Sequence, residues 1–476
     1  MESRYKRLGK NSIIVFLGNA GSKIIGILML PFYTHYLSTS GYGTYDIINT
    51  YSVVLLPFVT CCIADSIFIF PKDKSILDKT KYYTSGLYFC FTSLSLVLLI
   101  SYLIKLLSPS SFIGTYIWWI VGLTFSTFTL NYVQQFTRSI DKMIVYSLTG
   151  IVYVLAIAIF SILLLPTYNL SGYLIALILS SLIASIFAVV SSMSYKYFKL
   201  FSFDKSHLLE LLKYGIPLIP NTVMWWLVDG INRPIMMNEI GTDAIGIYAI
   251  ANKMPGFLSM IFVVFSNAWG ISMLEEFKKP DFNSFFNKTM KVLVFVVAIG
   301  SALMITGSKL IVSILASSEF YEAWNYVPIL IIGVMFQHIS TLVGGVFMAE
   351  RKSKYFFYSS IWGAVTSVIL TLFFIKVCGL MGVCVAVALS FMCMAIVRIK
   401  FAWKYINLLE IKYYIITFSI LITQSVVYLF DLGIIIDVSL LILSCILLVI
   451  LNKSSILSII EKVNTNTLKK YTNENS

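Results

Sequence analysis

Residues 143–192 read MIVYSLTGIVYVLAIAIFSILLLPTYNL and then SGYLIALILSSLIASIFAVVSS, and no side chain among them is charged. The stretch divides into two apolar runs, 143–166 and 171–192. Each run has the roughly 20 residues that a helix needs to cross a hydrocarbon layer of about 30 Å. The apolar residues do not alternate as they do in barrel strands, so membrane helices are predicted.

Similar runs fill most of the chain. It has 476 residues, of which 58% are hydrophobic and 12% charged, and this composition is too apolar for one soluble core. We therefore predict an all-α, polytopic membrane protein. About fourteen transmembrane helices of spanning length can be placed, at 12–37, 42–70, 83–104, 113–136, 143–166, 171–192, 214–238, 244–274, 288–308, 326–349, 355–377, 380–402, 412–431 and 434–452.

Lys and Arg residues concentrate in alternate gaps between these spans. When residues near the end of a span, such as Arg398, are counted with the adjoining gap, 29 of the 35 fall in the gaps on one side, three fall in the gaps on the other, and three lie well inside spans. By the positive-inside rule, the side with 29 cations is cytoplasmic, which places both termini there. The net charge of +13 then reflects cytoplasmic loops near anionic headgroups rather than nucleic-acid binding.

The three cations inside spans are Lys23, Arg233 and Lys253. A cation in such a position costs roughly 2.5–3.5 kcal/mol on insertion scales and usually faces an internal cavity. Lys23 lies about 16 Å into its span, on one polar face with Asn19 and Ser22. Lys253 is also deep, and both lysines are predicted to line a cavity.

Acidic residues provide the alternative interpretation. Lys23 could instead be neutralised by Asp46 or Asp65, for which a structural or interfacial role is favoured over proton coupling. Arg233 lies near the outer end of its helix and could reach the interface or pair with Asp229 four residues earlier. Trp225, Asp229 and Arg233 follow one another at i+4 spacing, so this face is predicted to contact protein or water.

Cations in a membrane cavity favour an anionic ligand. Phosphates fit best because ammonium and guanidinium groups form charge-assisted hydrogen bonds with them. The chain has three His residues, no CxxC pair and no GxxxxGK[ST] motif. We therefore predict no catalytic residues, metal site or cofactor, and no direct ATP hydrolysis.

An internal repeat appears when the sequence is shifted on itself by 203 positions. The matches that carry it involve small, polar and turn-forming residues: Pro31 with Pro234, Thr39 with Thr242, Gly43 with Gly246, Tyr45 with Tyr248 and Asn49 with Asn252. An even number of spans separates the copies, which predicts two parallel bundles of six helices around a cavity. The predicted boundaries are 1–192, a cytoplasmic linker at 193–213, 214–402, and two additional helices with a cytoplasmic tail at 403–476.

Several motifs resemble those of a known family. They are Pro31-Phe32-Tyr33, Gly41-Tyr42-Gly43-Thr44-Tyr45-Asp46, Gly215-Ile216-Pro217-Leu218-Ile219-Pro220-Asn221 with Trp225-Trp226, and Gly246-Ile247-Tyr248-Ala249-Ile250-Ala251-Asn252-Lys253-Met254-Pro255. Together they resemble bacterial repeat-unit flippases for O-antigen, capsule and exopolysaccharide. These belong to the multidrug/oligosaccharidyl-lipid/polysaccharide exporter superfamily.

The resemblance implies a substrate and a location. The substrate would be an undecaprenyl-diphosphate-linked oligosaccharide that is moved across the bacterial cytoplasmic membrane by alternating access. Membrane lipids and other polysaccharide assembly proteins are the implied partners. The hypothesis assigns the diphosphate to Lys23 and Lys253, with Arg233 guiding it near the outer exit. Sugar contacts are assigned to Asn49, Asn252, Trp225 and Trp226.

The chain departs from the family at one position, and three other functions are considered. The family often has an acidic residue before the Arg of span seven, where this chain has Asn232, so Asp229 is the candidate partner of Arg233. A cation-coupled multidrug antiporter on the same fold would depend on Asp46, Asp65 or Asp229. A peptidoglycan precursor flippase is a second alternative. A polymerase or ligase is disfavoured because every outer gap is short.

Overall fold

The computed structural model describes residues 21, 23–350, 352–407 and 410–453, and the regular structure among these residues is helical throughout. Contacts divide the chain into two compact units. The first comprises Met1–Ala249 and Ile314–Phe320, and the second comprises Ile250–Ser313 and Tyr321–Ser476.

Among the described residues of the first unit, nine helices from Leu30 onward and the start of a tenth are present, with 3₁₀ turns at Ser194–Tyr197 and Ile216–Leu218. Their bounds are α1 Leu30–Tyr36, α2 Thr39–Thr60, α3 Ile63–Ile69, α4 Ile76–Leu107, α5 Phe112–Ser139, α6 Met143–Ser192, α7 Lys205–Gly215, α8 Ile219–Asp229, α9 Asn232–Glu239 and α10 Gly241–Glu276. Residues 23–28, which include Lys23, are also helical.

The second unit contains most of α10 and five further helices. Their bounds are α11 Phe282–Leu315, α12 Val327–Ala349, α13 Ser353–Ala402, α14 Ile411–Leu429 and α15 Ile434–Leu451. The two C-terminal helices pack within this unit, where Gln424 Nε2 of α14 donates to the main-chain carbonyl of Ala302 in α11 (3.0 Å). A salt bridge from Lys309 to Asp431 adds to this contact.

Within the described residues, eight helices are long and apolar enough to cross a membrane, or up to nine if α2 and α3 form one bent span. These eight correspond to ten of the predicted spans, because α6 and α13 each contain two. Each of these two helices is interrupted at one residue, Asn169 (φ 47°, ψ −127°) or Gly379 (φ 55°, ψ −132°). The interruptions fall between the predicted spans, and the all-helical, polytopic fold class is confirmed.

Two predicted spans are not continuous helices. The predicted span 42–70 bends by 58° between α2 and α3, where Cys61 and Cys62 adopt left-handed conformations. The predicted span 214–238 is divided into a 3₁₀ turn, α8 and α9. In both places hydropathy located an apolar stretch but not its interruption, because hydropathy averaged over a window does not register the backbone conformation of one or two residues.

Part of the prediction lies outside the described residues. Asn19 and Ser22, which were placed on one face with Lys23, are among these, as are most of the first half of the span 12–37 and the tail beyond residue 453. The predicted span 244–274 lies within α10.

Candidate functional site

The first turns of α2 and α10 meet within the first unit. The Thr39 hydroxyl donates to the Asp243 carboxylate, and Ser40 Oγ lies 2.7 Å from Thr242 Oγ1. Under the 203-residue shift, Thr39 corresponds to Thr242 and Ser40 to Asp243. The two hydrogen bonds therefore exchange places, and the contact is reciprocal between the two copies of the repeat.

Two glycines allow the backbones to approach at this contact. A Cβ added to Gly43 would overlap the carbonyl oxygen of Thr242, and one added to Gly246 would overlap that of Thr39. Gly43 and Gly246 are also partners in the repeat. The close approach explains why glycine occupies both positions.

Arg233 lies beside this contact, on α9. Its side chain is 9% exposed, and its Nε donates to a carboxylate oxygen of Asp46 on α2 at 2.9 Å. The guanidinium carbon lies 5.1 Å from the centre of the Tyr248 ring. A buried guanidinium needs a close ionic or hydrogen-bonding partner to offset its desolvation, and Asp46 supplies it here.

Asp229 contributes to the same cluster mainly through its backbone. Arg233 Nη1 donates to the main-chain carbonyl of Asp229, whereas the Asp229 carboxylate lies 4.0 Å away and its side chain is 53% exposed. The sequence thus identified a true neighbour of Arg233 but not its principal partner. Asn232, which stands where the family often has an acid, is fully buried.

Three of the residues that were assigned to sugar belong to the same unit as this cluster, and Asn252 belongs to the second unit. Asn49 is half-buried on α2, three residues after Asp46, and therefore on the same face of that helix. Trp226 Nε1 donates to the main-chain carbonyl of Thr50 at 3.1 Å, which ties α8 to α2. Trp225 is half-buried.

The two deep lysines are both exposed. Lys23 belongs to the first unit and Lys253, on α10, to the second. Asn252 is half-buried beside Lys253, and Asp65 is exposed on α3. Asp46, one of the two acids considered as a partner of Lys23, forms an ion pair with Arg233.

A model of the polysaccharide biosynthesis protein family matches residues 8–269, which is more than half of the chain. The chain belongs to this family. The matched range includes Arg233, Asp46 and both lysines. No curated protein sequence matches the chain.

Solved structures agree on the fold of this family member. The lipid II flippase MurJ in an inward closed conformation has a TM-score of 0.67 at 17% identity, with 94% of this chain and 99% of that one covered. A mutant of the Vibrio cholerae MATE transporter VcmN has a TM-score of 0.58 at 13% identity, covering 85% and 97%. An inward-facing MATE transporter of the MOP superfamily also has a TM-score of 0.58, at 12% identity, covering 82% and 94%.

These likenesses establish the fold of the MOP superfamily of transporters for this chain. The family match establishes a role in polysaccharide biosynthesis at the level of the family.

Sequence reasoning missed one cation. Arg398 was counted among the cytoplasmic cations, but it is fully buried in the second unit. Its guanidinium donates to Ser359 Oγ (2.9 Å), Ser360 Oγ (3.1 Å) and the main-chain carbonyl of Ser340 (3.1 Å), and it lies 4.0 Å from the centre of the Phe356 ring. The sequence feature that could have indicated this burial is the Ser359-Ser360 pair. It lies near the start of the predicted span 355–377, which precedes the span that contains Arg398.

Metal chemistry has no candidate site among the residues described. Within those ranges, no three His, Cys, Asp or Glu side chains are grouped so that they could hold an ion. What the described cluster offers is a charge pair that joins α2 to α9, next to a reciprocal backbone contact.

Proposed function

We propose that this chain is a flippase that moves undecaprenyl-diphosphate-linked oligosaccharide repeat units across the bacterial cytoplasmic membrane for surface polysaccharide assembly. The observation that carries the proposal is the exposure of Lys23 and Lys253 on apolar helices of a member of the polysaccharide biosynthesis family. An ammonium group that faces lipid is costly, so these lysines favour a polar, water-accessible path.

The diphosphate is the part of the substrate that suits the two lysines. Each ammonium group carries three donors for charge-assisted hydrogen bonds to phosphate oxygens. We assign sugar contacts to Asn49 and Asn252, whose amides both donate and accept hydrogen bonds. Trp225 and Trp226 offer ring faces of the kind that amphipathic ligands contact.

Arg233 has a different role from the lysines. Because its guanidinium is bonded to Asp46, a diphosphate would have to compete with this carboxylate. We assign it to guiding the diphosphate near the outer exit, where the exchange of Asp46 for phosphate would loosen the contact between α2 and α9. The polyprenyl tail would remain in lipid, and the halves 1–192 and 214–402 would open to each side in turn.

Reconstituted transport tests the proposal. Full-length protein is placed in liposomes with a lipid-linked oligosaccharide, and its transfer between leaflets is followed with a membrane-impermeant reagent that modifies sugars. We expect Lys23→Glu and Lys253→Glu to slow transfer at least tenfold and the corresponding Arg variants to retain it. Lys376→Glu is the matched control, because Lys376 is exposed at the outer end of the predicted span 355–377. Normal transfer by both charge-reversed variants would refute the assignment.

The same liposomes separate the alternatives. A peptidoglycan precursor flippase would transfer lipid II in preference to other oligosaccharide lipids. A cation-coupled antiporter would instead confer drug resistance in cells and lose it on substitution of Asp65. That acid is exposed on α3, whereas Asp46 is engaged by Arg233.

A further inference from the structure

The segment 195–203 joins the two halves of the repeat and has the sequence YKYFKLFSF. Most of its large apolar side chains point away from the protein. Phe201 is 97% exposed, Leu200 59%, Tyr195 52% and Phe203 51%. Contiguous apolar exposure of this kind marks an interaction surface rather than a solvated loop.

Hydrogen bonds hold this segment against the N-terminal part of α4. Lys199 N donates to Thr84 Oγ1 (3.2 Å), whose hydroxyl donates to the carbonyl of Tyr197 (3.2 Å). The hydroxyl of Tyr88 donates to the carbonyl of Leu200 (2.8 Å). These α4 residues lie in the first turns of the predicted span 83–104, and this span would place the segment at the boundary between the headgroups and the hydrocarbon.

The inner side of the segment is held by the protein. The ring of Tyr197 packs on Phe136 of α5, with centroids 5.3 Å apart. Leu211 of α7, which follows the segment, is fully buried in the same cluster. Tyr88 of α4 also contacts the rings of Phe198 and Phe203, with centroids 6.4 and 6.0 Å apart. Phe201 is the aromatic side chain that projects furthest from the fold, at 97% exposure.

The charge of the segment is basic. Lys196, Lys199 and Lys205 are exposed. The acid at its end is already paired, because Asp204 forms a salt bridge with Lys81 at 3.1 Å. Hydrogen bonds from Ser206, His207 and Lys81 hold the pKa of the Asp204 carboxyl well below its usual range, so it remains ionised in these bonds.

We propose that residues 195–203 form an anchor that inserts its aromatic side chains into the membrane interface and binds anionic phospholipid headgroups through Lys196 and Lys199. Aromatic side chains favour the depth of the headgroups, and lysines at that depth are attracted to anionic lipids. By the charge distribution of the loops, the leaflet is the cytoplasmic one. The linker between the halves would then slide on the membrane surface rather than move through water.

Fluorescence quenching tests the insertion. Phe201→Trp is made in the full-length chain and reconstituted in nanodiscs of phosphatidylcholine with phosphatidylglycerol. The parent signal is subtracted, and quenching by brominated lipids is compared with quenching by acrylamide. We expect the added Trp at about 5–10 Å below the headgroup surface, with acrylamide quenching at least threefold weaker than for Lys278→Trp, a control in an exposed cytoplasmic gap. Equal acrylamide quenching at both positions would overturn the proposal.

A second comparison tests the lipid charge. In nanodiscs of phosphatidylcholine alone, the Trp at position 201 should be quenched at least twofold more by acrylamide than in the anionic discs. The Lys196→Gln/Lys199→Gln pair should remove that difference, whereas Lys278→Gln should not. If the Trp is inserted equally in both lipids, or if the lysine pair changes nothing, the binding of anionic headgroups is refuted.

Discussion

Arg233 is the residue on which the described cluster depends. It is buried at the junction of α9 with α2 and pairs with Asp46, which is 187 positions away in the chain. Breaking a buried pair by removing one partner costs about 3–5 kcal/mol, because the remaining charge is left without compensation. The pair therefore stabilises the junction as long as both partners are present.

The first prediction concerns this pair. Asp46→Asn keeps the shape of the side chain but leaves Arg233 with a neutral partner, so the thermal unfolding midpoint of the detergent-purified protein should fall. Asp229→Asn is the matched control and should change it little, since that side chain is 53% exposed and its main-chain carbonyl holds the arginine. Combining Asp46→Asn with Arg233→Gln should recover part of the loss. Equal midpoints for the two Asn variants would contradict the assignment.

The sequence could identify Arg233 but not its partner. Its position inside an apolar span made it unusual, and the nearest acid along the helix, Asp229, was the natural candidate. To choose Asp46 as the partner, one would need to know how α2 is aligned against α10. That alignment depends on the packing of Gly43 and Gly246. The burial of Arg398 was missed for a related reason. The sequence around a cation near the end of a span is the same whether its side chain extends to water or turns into the protein.

At the level of elements, the contact between α2 and α10 depends on two glycines. Gly43 and Gly246 bring each helix against the backbone of the other, and a backbone carbonyl cannot move aside as a flexible side chain can. Overpacking of this kind typically costs about 1–3 kcal/mol.

The second prediction follows from this contact. Gly43→Ala and Gly246→Ala should each lower the unfolding midpoint, and by similar amounts because the contact is reciprocal. Gly256→Ala in the same α10 is the control, since a Cβ there meets open space and alanine favours a helix by about 1 kcal/mol over glycine. Thermal unfolding of the purified variants measures the three effects. A loss for Gly256→Ala as large as for the other two would rule out the backbone contact as the cause.

The third prediction concerns the interruptions in α6 and α13. Asn169 and Gly379 share nearly the same backbone angles, in a region that side chains with a Cβ rarely adopt. A residue held in such a region costs about 1–3 kcal/mol unless it is glycine. Asn169→Gly should therefore raise the unfolding midpoint and Gly379→Asn should lower it. Shifts of the same sign in both variants would contradict this explanation.

Hydropathy predicted the long helices well because a span is an average property of about 20 residues. The interruptions in α6 and α13 were also placed correctly, since polar and turn-forming residues mark both gaps. The bend after α2 was missed because it depends on the left-handed conformations of Cys61 and Cys62, which are not typical turn residues. The division between α8 and α9 was missed because Gly230 and Ile231 interrupt the helix while keeping right-handed backbone angles, and hydropathy does not register such a break.

At the scale of the whole molecule, the internal repeat remains a prediction from the sequence, and two features of the structure agree with it. The bonds of Thr39 with Asp243 and of Ser40 with Thr242 exchange under the 203-residue shift. The helices α6 and α13 are related by a shift of 210 residues that preserves both their length and the position of their interruption. The shift increases from 203 residues at this contact to 210 residues at α13. The second copy of the predicted repeat would therefore contain an insertion between these two places.

Under the proposed function, alternating access makes a specific demand on the reciprocal contact. The predicted orientation of the loops places this contact at the outer ends of α2 and α10, so a substrate would leave toward the outside only when the contact opens. Ser40 Oγ and Thr242 Oγ1 are 2.7 Å apart, which is close enough for a disulfide between cysteines at these positions.

The fourth prediction is therefore a reversible block of transport. Ser40→Cys/Thr242→Cys should stop transfer of the lipid-linked oligosaccharide in liposomes after oxidation and regain it after reduction. Each single variant is a control for the seven native cysteines and should transport under both conditions. Mass spectrometry of the digested protein confirms the cross-link. If the cross-linked protein transports at the rate of its reduced form, the contact stays closed throughout the cycle, and the outer exit must open between other helices.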